Sequence, residues 1–315
     1  MDGVNDILTG IVEKSTGSWY TVRDRASGGT IMCKIPGRLR LIGIRTTNPV
    51  AVGDVVDYQL DESGVGIITD IHPRRNYIIR RASNLSRESH IIAANIDQAF
   101  LVVTLDFPVT NNEFIDRFLV TAEAYKIPAT IILNKVDLYD TPELTEKKEK
   151  FLRVYDLAGY EVIEASTVTG KGVDEIKRRL KDKISLLSGN SGVGKSTIIK
   201  AIAPGLDIRI GKISDYHKKG KHTTTFSEMF PLPEGGYIID TPGIKGFGLI
   251  DIRPEEMFHY FPDLFKVAVG CVYNNCTHTH EPGCAVKQAV VDGAISFSRY
   301  ESYLKLLDPD EKHRK

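Results

Sequence analysis

From residue 1 to about 70, apolar and polar residues alternate in short runs broken by glycine: GSWYTVRD, GGTIMCKIPG, VGDVVDYQL and GVGIITDI. Alternation with β-branched residues and frequent turns predicts half-buried strands. The length suits a small five-stranded barrel of the OB type. Barrels of that kind commonly bind nucleic acid, although a purely structural β-domain fits the same pattern.

The pattern changes near residue 95. QAFLVVTL (98–105) is a continuous apolar run, as expected of a strand buried on both faces. In NNEFIDRFLVTAEAYK, Phe114, Phe118, Ala122 and Tyr125 fall near helical spacing. A strand (ATIILNK), a helix (ELTEKKEKFLRVYDLAG), a strand (YEVIEAS), a helix (VDEIKRRLKDK), a strand (ISLLSG) and a helix (GKSTIIKAIA) follow. FSEMFPL and GYIIDTPG are strand-like again. Strands alternating with helices predict a mostly parallel sheet covered on both sides. Residues 249–315 break the alternation, hold three of the four cysteines, and end in a basic tail. The expected organisation is therefore multidomain α/β: an OB-type barrel over 1–70, a nucleotide domain over 71–248, and a C-terminal metal-binding, helical region over 249–315.

Composition changes this picture little. Hydrophobic residues make up 42% and charged residues 26%, an ordinary globular balance. Forty-one basic and 41 acidic residues give zero formal net charge, which argues against coating nucleic acid through bulk charge. Two basic clusters stand out: HPRRNYIIRRASNLSR (72–87), with five arginines and no acid, and HKKGKH (217–222). Each fits a solvated face; as a pair flanking a nucleotide site they fit an RNA-facing surface. No apolar run approaches the roughly 18 residues a membrane helix needs. MDGVNDILTG is acidic and lacks a signal-peptide pattern, so a cytoplasmic location without a membrane partner is expected. In that compartment four cysteines point to metal or catalysis before disulfides.

The chemistry concentrates in a few boxes. GNSGVGKST (189–197) is a phosphate loop preceded by a predicted strand and opening a predicted helix. Gly189, Gly192 and Gly194 let the backbone wrap phosphates, and the N–H groups of Asn190, Ser191, Val193 and Thr197 belong to the same cradle. Lys195 neutralises the β- and γ-phosphates, and Ser196 is the expected Mg²⁺ ligand. NKVD (134–137) decides the base: the Asp137 carboxylate can accept from both guanine N1–H and the exocyclic amine, a pair adenine does not offer. Asn134 reaches the N7 edge, and the Lys135 stem covers the ring. EASTVTGKG resembles the loop whose backbone reads the guanine O6, with Ser166 in the usual serine place and Thr167 where alanine is common. DTPG (240–243) offers Asp240 to Mg²⁺ through water and the Gly243 N–H to the γ-phosphate. KHTTTF lies between these boxes as a first switch, with Thr224, or else Thr223, completing the Mg²⁺ shell; a Thr-rich strand edge is the plainer alternative.

In an ordinary GTPase the phosphate loop comes first; here the guanine box precedes it. Each βα unit docks on a sheet independently of connectivity, so the chain break can move while the site survives. The order predicts a circularly permuted GTPase domain.

Cys271, Cys276, His278 and Cys284 lie in CVYNNCTHTHEPGC; three thiolates and one imidazole suit a closed tetrahedral Zn²⁺ site. By spacing alone His280 competes with His278 for the fourth place. Cys33 stands apart and fits a small core residue.

GNSGVGKST, GKHTTT, DTPG, NKVD and CTHTHEPGCAV, in this order and behind a β-barrel, closely resemble the RsgA (YjeQ/YloQ) family across essentially the whole chain. The resemblance implies an OB-fold, a late role in assembly of the small ribosomal subunit through its ribosomal RNA, and hydrolysis of GTP to GDP stimulated by that subunit. It also supports His278 as the zinc ligand; the four-ligand count predicts one zinc per chain, and a monomer is expected. Where Ras-type enzymes carry a water-orienting glutamine, this chain has Ile244, so intrinsic turnover is expected to be slow. His222, beside the switch threonines, is a candidate to align the water, and a phosphate or RNA contact is its alternative role. A nucleotide-gated RNA-binding module with incidental hydrolysis is the rival functional class; NKVD disfavours a phosphate-loop ATPase or kinase.

Overall fold

The computed structural model describes residues 6–36, 49–81, 89–206, 228–240 and 252–307. The chain forms two compact units. The first comprises Met1–Gln98, Arg179–Leu187 and Ala203–Ile244; the second comprises Ala99–Arg178, Ser188–Ile202 and Lys245–Lys315.

The first unit contains the barrel. Its strands are β1 (Leu8–Ser15), β2 (Tyr20–Asp24), β3 (Thr30–Lys34), β4 (Val55–Leu60) and β5 (Gly66–Ile71). They pair in the order β1-β2-β3-β5-β4, and β4 returns to β1 and closes the ring. The alternation read from the sequence is met residue by residue: Tyr20, Val22, Cys33, Val56, Tyr58 and Ile68 point inward and are buried. Gly66 lies against Cys33, where an added Cβ would come within 2.3 Å of Sγ. Burial pushes the Cys33 thiol up to about 12, so it stays a protonated core group. Tyr58 donates to Asp24 at 2.7 Å, which gives the buried phenol its polar partner.

The first unit also holds a hairpin absent from the sequence reading, β6 (Tyr77–Arg81) with β7 (Ser89–Ala94). Its arginines concealed the alternation on which strand prediction depends. Nor is the basic run at 72–87 one uniform solvated strip. Arg74 makes a two-pronged bond with the fully buried Asp54, both distances 2.6 Å, and donates to Pro49 O. Arg75 pairs with Asp97 at 2.8 Å. In the same unit, β11 (Ile184–Ser188) runs parallel to β13 (Tyr237–Asp240), and β12 (Glu228–Pro231) lies antiparallel between β13 and β1.

In the second unit β8 (Gln98–Val103), β9 (Ala129–Leu133) and β10 (Val162–Glu164) form a parallel set. Its helices are α1 (Asn112–Ala124), α2 (Pro142–Leu157), α3 (Val173–Leu180), α4 (Lys195–Ile202), α5 (Pro262–Ala268), α6 (Ala285–Val291) and α7 (Phe297–Leu307), with a 3-10 turn at Pro254–Tyr260. Thr141 caps α2 by accepting from the Leu144 N–H, with Pro142 in the first turn where its missing donor costs nothing. Helix α1 is buried on two faces. Phe118 and Ala122 lie on the face the sequence marked as apolar, while Val120 belongs to a separate core with Phe261, Leu264, Val286, Tyr303 and Leu306. Among the described residues, no helix is long and apolar enough to cross a membrane.

Candidate nucleotide site and metal centre

The phosphate loop runs from the end of β11 into α4, and its glycines have measurable reasons. Gly189 has φ +144° and lies where a Cβ would come within 2.3 Å of Val102 O. Gly194 has φ +97°, and a Cβ there would come within 2.3 Å of Asn134 Nδ2. Only glycine accepts both the backbone conformation and the approach. Val193 is buried, whereas Ser191, Gly192, Ser196 and Thr197 are exposed along the loop and first helical turn. Lys195 arches over the loop and donates to the carbonyls of Gly189 (2.5 Å) and Asn190 (2.7 Å).

The guanine box follows β9. Asn134 is buried, and its Nδ2 donates to Val193 O at 2.8 Å, so the box is tied directly to the phosphate loop. Its Oδ1 is buried without a partner among the described residues. Lys135 takes a left-handed conformation (φ 61°) and donates to Gly192 O at 2.9 Å and Phe107 O at 2.5 Å. Asp137 lies in the short 3-10 turn Val136–Leu138, half-buried. Ser166 follows β10. Its hydroxyl accepts from the N–H groups of Val168 and Thr169, both at 3.2 Å, and so shapes its own loop. The second unit thus gathers the phosphate loop, the guanine box and the Ser166 loop, although the guanine box comes some fifty residues before the phosphate loop. Asp240 ends β13 in the first unit. His222, Thr223, Thr224 and Gly243 lie outside the described residues.

Sequence reasoning missed the loop after β8. Leu105 N–H donates to Tyr139 Oη (2.9 Å), and that hydroxyl donates to Asn134 O (3.0 Å). Lys147 donates to Leu105 O at 2.6 Å. The loop is closed on itself: Thr110 N–H donates to Thr104 O, and Thr104 N–H to Thr110 Oγ1. Threonine, proline and asparagine in TLDFPVTN signal a turn, but nothing in that composition says what the turn touches.

In the C-terminal part, the ligand atoms of Cys271, Cys276, His278 and Cys284 all lie within 4.8 Å of one another. His278 Nδ1 is 3.5 Å from both Cys271 Sγ and Cys284 Sγ, and those two sulfurs are 4.0 Å apart. With Zn–S of about 2.3 Å and Zn–N of about 2.0 Å, a regular tetrahedron has edges of about 3.8 Å (S–S) and 3.5 Å (S–N). The donor set fits zinc on chemistry, and the distances among Cys271, His278 and Cys284 match those edges. Burial and the neighbouring thiols push the Cys276 thiol up to about 12, a cost a bound cation relieves by taking the thiolate. Burial lowers the His278 pKa and so keeps the neutral imidazole a ligand needs. His278 occupies a left-handed position (φ 59°) inside the cluster, while His280 is exposed and bonds to Thr279 Oγ1. The knuckle is braced by Glu281, which accepts from Thr277 N–H at 2.7 Å and Oγ1 at 2.6 Å, and from Thr279 N–H at 3.0 Å.

A barrel, a phosphate loop locked to a guanine box in permuted order, and a Cys₃His cluster on a helical region define a circularly permuted GTPase. Comparison with known proteins agrees. The RsgA GTPase family matches residues 71–250, and the RsgA N-terminal domain family matches 9–68. The small ribosomal subunit biogenesis GTPase RsgA of Bacteroides fragilis is 55% identical over 305 residues, which span 97% of this chain and 98% of that protein. Its counterpart in Flavobacterium psychrophilum is 50% identical over 309 residues, covering 97% and 94%. The crystal structure of YjeQ from Thermotoga maritima superposes with a TM-score of 0.79 at 36% identity, covering 96% of this chain and 98% of that one. YloQ, described as a circularly permuted GTPase, gives 0.76 at 30% identity, covering 100% and 98%. The chain belongs to the RsgA family and is a GTP hydrolase.

Proposed function

We propose that this chain hydrolyses GTP to GDP and phosphate during late assembly of the small ribosomal subunit, and that the subunit stimulates the reaction. The observation that carries this reading is the lock between Asn134 and Val193 O and between Lys135 and Gly192 O, which brings boxes in permuted order together and supports one guanine-nucleotide site. The names of relatives 55% identical over nearly the whole chain supply the biological setting.

The phosphates lie in the cradle of Gly189, Asn190, Ser191, Gly192, Val193 and Gly194, at the N-terminus of α4, where backbone N–H groups and the helix dipole favour negative charge. Lys195 exchanges its two carbonyl partners for the β- and γ-phosphates. The Thr197 N–H joins the cradle, and Asp137 and Ser166 serve the base. Mg²⁺, held by Ser196 and Thr224 with Asp240 behind a water, would neutralise charge between the β- and γ-phosphates. Gly243 senses the γ-phosphate, and His222 aligns the water in the absence of a glutamine at Ile244. Cys271, Cys276, His278 and Cys284 hold one structural zinc. Residues 1–70 act as the RNA-binding barrel, 71–248 as the GTPase domain and 249–315 as the zinc-binding domain of a cytoplasmic monomer.

The decisive experiment is GTP hydrolysis by the full-length protein alone, with isolated small subunits and with isolated large subunits. Acceleration by small subunits alone is expected. Equal rates in all three conditions would instead favour a nucleotide-gated RNA-binding module in which hydrolysis is incidental.

A further inference from the structure

Arg299 on α7 is fully buried, and so is Asp116, to which it donates at 2.7 Å through Nη1. Its other two donors reach Asp263 at the start of α5, Nη2 at 2.9 Å and Nε at 3.1 Å. The guanidinium also lies over the Phe261 ring, 4.7 Å from its centroid. A buried guanidinium with two carboxylates holds a fixed geometry, because its donors form a rigid planar fork. Asp116 is on α1, so this cluster joins the metal-bearing region to the helix that follows the loop beneath the guanine box.

Connections run outward from the cluster on both sides. On one side, Tyr300 and Tyr303 of α7 donate to the carbonyls of His278 (2.6 Å) and Thr277 (2.7 Å), inside the metal loop. On the other, α1 begins directly after the closed loop 104–110, whose Phe107 carbonyl accepts from Lys135. The far end of α1 is held too, by Tyr160 Oη on Glu123 at 3.1 Å. Metal loop, α7, α1, the loop after β8 and Lys135 therefore form one continuous bonded series within the second unit.

We infer that Arg299 and Asp116 are positioning residues for guanine-nucleotide binding: they fix α1 so that the loop 104–110 holds Lys135 in place, and they thereby couple the metal loop to the nucleotide site. The inference rests on the guanine-site reading above. Coupling of this kind is reciprocal: whatever factor the intact metal loop contributes to nucleotide affinity, bound nucleotide must return to metal retention.

The test uses the full-length, zinc-loaded protein, a fluorescent GDP analogue and a chromogenic zinc chelator. Arg299→Lys keeps the charge and removes the fork; it is expected to raise the dissociation constant for GDP by roughly fivefold or more. Saturating GDP is expected to raise the zinc affinity of the wild-type protein, read as the chelator concentration that removes half the zinc at equilibrium, by the factor the intact metal loop contributes to GDP affinity, and this gain should be lost in Arg299→Lys. A residue that merely stabilised the fold would lower the melting temperature and leave the GDP–zinc linkage intact. Should Arg299→Lys fail to fold, the Tyr300→Phe/Tyr303→Phe variant, which frees the metal loop from α7, is expected to lose the linkage in its place. Wild-type protein that binds GDP yet holds zinc with the same affinity with and without it would overturn the inference and leave the guanine reading standing. Wild-type protein that retains zinc but binds no GDP would overturn both.

Discussion

Gly194 shows how narrowly single residues are constrained here. The Asn134 amide crosses the phosphate loop at the spot where any Cβ on residue 194 would stand, and φ is +97°. Gly194→Ala is therefore expected to break the Asn134–Val193 bond and weaken GTP binding by roughly tenfold or more, since a lost buried bond with strain costs about 1–3 kcal/mol. Nucleotide titration measures it. On the proposed role of Asp137, Asp137→Asn would remove a charge-assisted pair with guanine; a loss of about 1.5–3 kcal/mol in GTP affinity is expected, with a shift toward xanthine nucleotides, and competition binding reads both. Unchanged GTP affinity would remove Asp137 from the base site. In the barrel, Asp24 is held down to about 2 by the Ser27 N–H, the Ser27 hydroxyl and Tyr58. A carboxylate depressed in the folded state contributes stability that is present above its ordinary pKa, near 3.8. That contribution is lost as pH falls through the folded value near 2. Tyr58→Phe should shrink the fall in melting temperature between pH 5 and pH 2.5, because it removes one of the bonds that depress Asp24.

Asp116 and Val120 of α1 lie one helical turn apart and face the C-terminal region. A helix chosen only to cover a sheet needs no aspartate there. Removing one partner from the buried set is expected to cost about 3–5 kcal/mol, so Arg299→Met should be strongly destabilised. Replacing Arg299, Asp116 and Asp263 together by apolar residues should cost much less, because no charge is then left unpaired. Denaturant melts of the two variants check the ordering. The metal loop is expected to hold together as one element only when a metal joins its ligands. The protein is expected to carry about one zinc per chain, and Cys276→Ser should release it. Hydrogen exchange should then rise at the start of α6, where the Lys287 N–H donates to Cys284 Sγ, and along α7, whose tyrosines grip the loop. A metal-free wild-type protein with the same exchange pattern would refute the structural-zinc reading.

Across the whole molecule, the permuted order places the segment after DTPG immediately before the C-terminal region, and Ile244 supplies no water-orienting amide. Slow turnover in isolation and strong dependence on a partner are the outcomes expected from that pairing. Deleting residues 1–70 is expected to remove most stimulation by small subunits while leaving GTP binding intact, since every contact described among the phosphate loop, guanine box and Ser166 loop lies within the second unit. His222→Ala should lower stimulated hydrolysis far more than GTP affinity. Normal stimulation of that variant would strip His222 of its catalytic role. If basic side chains contact ribosomal RNA, subunit binding should weaken steeply with salt through counterion release. Arg74 should add little to that slope, because the fully buried Asp54 already holds it.

By itself the sequence determined the barrel, the alternation of strands and helices, the nucleotide boxes and the three-cysteine cluster. Each rests on local physics: a period of two or of 3.6, glycine where φ is positive, thiolates at close spacing. Spacing could not choose between His278 and His280, because both lie within reach along the chain; folding turns the first inward at a left-handed position and leaves the second exposed. The hairpin β6–β7 escaped because its arginines interrupt the apolar alternation. Three things belonged to tertiary structure alone: Asn134 bonding to Val193, Lys135 to Phe107, and Arg299 to Asp116 across 183 residues. Groups this far apart in sequence meet only when packed elements bring them together, and no local pattern records which faces will touch.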